Sequence, residues 1–157
     1  MNSAPVARGK IRSRELALVE RDFSGLCWKR ITPTDIDGFV EFQDRLFVFI
    51  EGKSRGALLK GGQRLAIERL CDACHNEQAG RYSIAFVVAH DGQDCFDYAT
   101  ADVVEYRWRG SWIRIRPDKP KRLKEAIDAM RGKYLGNIVE FRDHAAWVAD
   151  YEQSERG

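Results

Sequence analysis

The sequence predicts an α/β (α+β) protein in which strands and helices alternate around a sheet. Three stretches carry that expectation. "DIDGFVEF" and "RLFVFIEGK" stand either side of a short polar break at "FQDRL", as the strands of an antiparallel hairpin do. "RYSIAFVVAH" is a near-continuous apolar run bounded by polar residues, as expected of a strand buried on both faces. Between them, "GGQRLAIERLCDACHNE" spaces Leu65, Ile67, Leu70, Cys71 and Cys74 into an apolar stripe at helical intervals.

Taken in order, residues 1 to about 10 read as a loose basic arm. "SRELALVERDF" follows as a helix, with Ser13 as its cap and Leu16, Val19 and Phe23 on one side. "GLCWKRIT" reads as a short strand or a loop entering one. Within the hairpin, alternation puts Asp35, Asp37, Phe39 and Glu41 on one face of the first strand. It puts Phe47, Phe49, Glu51 and Lys53 on one face of the second. Beyond the buried run, "ADVVEYRWRGSWIRIRP" predicts a second hairpin turning near Arg109-Gly110. "PKRLKEAIDAMRGKYL" predicts a helix entered at Pro120, "NIVEFRDHAAWVADYEQ" a final helix, and "SERG" a frayed end.

The chain has 157 residues, which suggests one domain with a core that needs no disulfide staples. With 44% hydrophobic and 32% charged residues, a soluble globular protein is expected. The formal net charge is only +2, so affinity for a polyanion must come from where the charges sit. The first twenty residues lack the apolar core of a secretory signal, and no apolar run approaches membrane-spanning length. A cytoplasmic protein without membrane partners is therefore expected, its four cysteines reduced and packing-type.

The acids at the two ends of the first hairpin raise a chemical question. Asp35 and Asp37 open one strand, while Glu51 closes its neighbour with Lys53 two residues on. Carboxylates converging there suit a hard divalent cation, Mg²⁺ or Mn²⁺. An ammonium on the same face can orient a water or offset charge on a phosphate. Such a set suits metal-assisted phosphodiester hydrolysis; without a metal, the carboxylates would repel a phosphate backbone. The bland alternative makes the aspartates turn residues and Glu51/Lys53 a solvated strand end.

"TDIDG…FIEGK", followed by the helix bearing Gln63, resembles the PD-(D/E)XK nuclease superfamily, which includes Holliday-junction resolvases, RecB-type and VRR-type nucleases. The resemblance implies a restriction-endonuclease-like core, a mixed β-sheet flanked by helices, over residues of about 13–90. A C-terminal extension of about 96–153 would add a β-hairpin and helices to the single domain. Glu51 and Lys53 match the family's (D/E)-x-K. Its upstream aspartate falls on Asp37, fourteen residues before Glu51, or on Asp35. Gln63 matches a glutamine that some subfamilies use to support the site. Ile67 stands where the RecB type has tyrosine, which speaks against that subtype. Glu15 or Glu20 would serve where members recruit a first-helix glutamate. The resemblance implies a Mg²⁺- or Mn²⁺-dependent endonuclease or exonuclease acting on DNA. The alternative is an inactive nuclease-fold module that binds DNA or protein. Resolvases of this superfamily are commonly dimers, so a homodimer is admitted.

Two further features bear on partners. Arg107, Arg109, Arg114 and Arg116 interleave with Trp108 and Trp112, and Lys121 extends the basic surface. Arg55 and Lys60 flank a glycine-bearing loop after the E-x-K group. These seven are the expected DNA contacts; the plainer reading turns the tryptophans into the core and leaves the arginines solvated. "CDACH" matches a haem-attachment pattern, but in a chain without an export signal Cys71 and Cys74 read as helix-packing residues. A zinc site would need Cys71, Cys74, His75, His90 and Cys95 to converge.

Overall fold

The computed structural model describes residues 22, 24–92 and 96–136. The chain divides into two compact units, Met1–Pro33 and Thr34–Gly157. The expected N-terminal helix with Glu15 and Glu20, Cys95 and the expected final helix lie outside the described residues. Of the first unit, the "CWKRI" stretch is a tight turn closed by a single bridge between Trp28 and Ile31, with Lys29 at φ 61°.

The second unit is a five-stranded mixed sheet carrying two helices. Its elements are β1 (Gly38–Phe42), β2 (Leu46–Ser54), α1 (Gly61–Cys74), β3 (Tyr82–His90), β4 (Asp102–Trp108), β5 (Ser111–Arg114) and α2 (Leu123–Tyr134). The strands lie in sequence order. β2 and β3 are parallel, and every other neighbouring pair is antiparallel. The β1–β2 turn places Gln43 and Asp44 at positive φ, with the Arg45 amide closing on the Phe42 carbonyl. Arg109 and Gly110 form the two-residue β4–β5 turn, both at positive φ, which matches the twist of the flanking strands. β4 of this second hairpin pairs directly with β3 and continues the sheet.

β3 is central, and its interior residues are buried throughout, as the apolar run requires. Alternation sends its residues to two different cores. Leu46, Val48, Ile50, Ile84, Phe86 and Val88 meet Leu123, Ala126, Ile127 and Met130 of α2 on one face. Phe49, Ala85 and Val87 meet Ile67 and Cys71 of α1 on the other. Glu51 and Lys53 keep the parity of Phe49 and therefore point to the α1 side. Among the described residues no helix is long and apolar enough to cross a membrane.

The two-core arrangement predicts where truncation hurts. Ile84→Ala, at a side chain 2% exposed, is expected to cost about 2–5 kcal/mol in urea denaturation. Val104→Ala, on the same sheet but 39% exposed, is expected to stay within about 0.5 kcal/mol.

Candidate active site

β2 delivers Glu51 and Lys53 to the sheet's α1 face, and the first turn of α1 hangs Gln63 over them. The three side chains close a triangle. Lys53 Nζ donates to Glu51 Oε1 at 2.7 Å and to Gln63 Oε1 at 2.8 Å. Gln63 Nε2 donates to the same Glu51 oxygen at 2.6 Å. Glu51 is 3% exposed, yet its second oxygen, Oε2, is buried with no hydrogen-bond partner among the described residues. A buried, half-satisfied carboxylate is costly, and such exceptions concentrate at functional positions. Burial pushes the Glu51 carboxyl above its ordinary value, and the negative charge of Asp37 adds to the rise against Lys53 and Gln63.

Asp37 stands one residue before β1, just past the last ladder pair, Gly38 with Ile50. The ladder being finished there, the Gly52 amide donates instead to Asp37 Oδ2 at 2.7 Å. The Tyr98 hydroxyl donates to the same oxygen at 3.2 Å. Tyr98 belongs to a short 3-10 turn at Tyr98–Thr100 and packs against the core on the α2 side. Burial, with Asp37 and Glu51 adding to it, pushes its hydroxyl up to about 12, so it stays a proton donor across neutral pH. Gly52 makes this approach sterically available: a Cβ there would lie 2.6 Å from the Tyr98 hydroxyl and 3.2 Å from Asp37 Oδ2.

The structure thus brings Asp37, Glu51, Lys53 and Gln63 together. Asp35 lies outside the strand, is exposed and has no partner among the described residues. Sequence reasoning missed Tyr98 and the role of Gly52. The tyrosine arrives from 61 positions beyond Asp37, and only the glycine inside E-x-K hinted that something approaches closely.

The seven basic residues scatter. Arg107 does not face outward: it is 8% exposed and makes a two-pronged bond to Asp72 of α1 at 2.8 and 2.6 Å. Arg55 pairs with Asp91 and Asp102, Arg109 with Glu77, and Arg116 with Asp118. Lys60, Arg114 and Lys121 are exposed and have no carboxylate partner among the described residues. Nor do the tryptophans share a face: Trp108 packs with the α2 core and Trp112 with the α1 core. Cys71 is buried, its thiol pushed up to about 11 by burial, and it bonds Ser83 of β3. His75 accepts from the Ser83 amide through Nδ1 at 3.1 Å and meets Glu77 through Nε2. Among the described residues no three or more His, Cys, Asp or Glu side chains form a metal-holding group.

No protein-family model, curated protein or solved structure matches the chain.

Gly52→Ala is expected to force the tyrosine off Asp37 and cost roughly 1–3 kcal/mol by urea denaturation. Tyr98→Phe removes the hydroxyl the new methyl would strike. The double variant is expected to recover part of the loss, with a coupling energy above about 0.5 kcal/mol in a double-mutant cycle.

Proposed function

We propose that this protein is a metal-dependent phosphodiester hydrolase acting on DNA, of the PD-(D/E)XK type. The observation that carries the reading is the buried Glu51 Oε2, without a hydrogen-bond partner among the described residues, in the electrostatic neighbourhood of Asp37. A second carboxylate raises the cost of ionising the first, and a divalent cation removes both difficulties. The residues fit Mg²⁺ or Mn²⁺: the donors are hard carboxylate oxygens, and such ions take one or two carboxylates and fill the remaining positions with waters and phosphate oxygens. Asp37 and Glu51 would hold the ion. Bound there, it would polarise the scissile phosphate and make a water nucleophilic at neutral pH.

The chain's own residues supply the rest. Lys53, on the Glu51 face, offsets charge developing on a phosphate, and its third ammonium proton, without an acceptor among the described residues, can hold a water. Gln63 fixes that ammonium by accepting one of its protons, and its amide keeps Glu51 Oε1 turned toward α1. Gly52 and Tyr98 hold one oxygen of Asp37 and leave the other for a ligand.

Lys53→Ala and Asp37→Asn are expected to lower Mg²⁺-dependent cleavage of DNA by about 100-fold or more, with circular dichroism unchanged. Undiminished cleavage by both variants refutes the site. DNA binding in EDTA without products in Mg²⁺ or Mn²⁺ selects instead the inactive binding module.

The raised Glu51 carboxyl fixes a sign for stability. The folded state holds its proton to higher pH than the unfolded chain, so stability falls as pH rises through and above the ordinary value of 4.5. Glu51→Gln is therefore expected to be more stable than wild type at neutral pH without metal, the gap closing below that value. Added Mn²⁺ is expected to raise the wild-type melting temperature and leave Glu51→Gln unmoved.

A further inference from the structure

We propose that the open groove between the first turn of α1 and β5 seats the sugar–phosphate backbone of the DNA on which the carboxylate site acts, an inference that rests on the nuclease reading for the identity of the polymer. The groove encloses about 570 Å³ and is walled by Leu58, Lys60, Gly61, Arg64, Trp112 and Arg114, with Glu105 at its base. It adjoins the site through two consecutive residues of α1. Gln63 bonds Glu51 and Lys53, and Arg64 lines the groove. Groove and the Glu51 carboxylate therefore lie on the same face of the sheet.

Charge selects this surface from the others. Of the seven basic residues that the sequence singles out, Arg55, Arg107, Arg109 and Arg116 already bind carboxylates. Lys60 and Arg114 bind none among the described residues, and both wall the groove. Lys121 is equally open but lines a cavity on the opposite, α2 face. The carboxylate within the groove is spent: Glu105 is 4% exposed, and Arg64 holds its two oxygens at 2.9 and 3.4 Å. Glu68, beside the groove, accepts the Trp112 indole N–H at 2.7 Å and pairs with Arg64 at 3.5 Å. Arg64 also lies over the Trp112 ring at 4.2 Å, which fixes that wall. The first turn of α1 has no acidic residue and no side-chain cap, so the turn itself brings no negative charge to the groove.

Two uncompensated cations flanking a rigid wall hold phosphates at fixed positions and carry no sequence information. A free indole N–H is missing from the groove, since Glu68 takes the one from Trp112. Binding through this surface is thus indifferent to base sequence and weakens with salt.

The test uses the full-length chain in EDTA, where nothing is cut. Fluorescence anisotropy follows a mixed-sequence DNA duplex, and a second duplex of unrelated sequence, across a salt series. Lys60→Gln/Arg114→Gln is expected to flatten the slope of log affinity against log salt by about two, roughly one per residue, on both duplexes. Lys121→Gln is expected to leave the slope unchanged. In Mg²⁺, the double variant is expected to raise KM and hold kcat, the mark of lost binding rather than lost chemistry. An unchanged slope in the double variant, an equal loss with Lys121→Gln, or no DNA binding by wild type overturns the groove. So does displacement of DNA by poly-glutamate at matched charge. A wild type that binds with the expected slope but never cuts supports the groove and sinks the nuclease reading alone.

Discussion

The parallel pairing of β2 with β3, in register from Leu46 with Tyr82 to Ser54 with His90, is the constraint on which the rest depends. Parallel neighbours cannot be joined by a tight turn, so the chain must leave the sheet and return. α1 is that return path, and it covers the face to which Phe49, Glu51 and Lys53 point. The crossover therefore decides that Gln63 meets Glu51 and that Arg64 reaches Glu105. It also decides where chemistry can sit. Glu51 and Lys53 occupy the carboxyl end of β2, the edge at which open α/β sheets present ligand sites.

That placement works against stability. A strand buried on both faces is a poor host for a carboxylate, and one oxygen of Glu51 has no hydrogen-bond partner there among the described residues. Lys53 and Gln63 offset part of the cost by converging on the other oxygen, and Asp37 adds to it by bringing a second negative charge. Proteins keep such unfavourable arrangements where activity depends on them. Asp37 is held in a different way, from the backbone by Gly52 and from the far layer by Tyr98. The two acids are thus fixed by independent parts of the fold.

Much of this was legible in the residues. The unbroken run of β3 and the Arg109-Gly110 turn each carry a local physical signature and formed where it lies; β1, by contrast, begins only at Gly38 rather than at Asp35, and in the stripe of α1 Ile67 and Cys71 are buried while Leu65 and Leu70 are exposed. Glu51 and Lys53 were legible as a pair because strand parity is a local property, whereas Gln63 was singled out only by the resemblance to the PD-(D/E)XK pattern. Asp37 against Asp35 was not, because the choice depends on where the β1–β2 ladder stops. Tyr98 was invisible for a stronger reason: its partner lies 61 residues away, across the sheet. Arg107 was misread as outward because neither its strand nor its neighbours reveal that Asp72 waits on the helix above. Long-range pairing of this kind leaves no trace at either residue alone.

Adjacent residues of β2 serve different masters: Ile50 belongs to the α2 core, while Phe49 and Glu51 face α1. Side-chain direction in a strand has a period of two, so one inserted or deleted residue in β2 would exchange the layers wholesale. Glu51 would be driven into the aliphatic core, and an aliphatic side chain would face Gln63. A change of length in β2 therefore alters every contact downstream of it at once, whereas a substitution alters one.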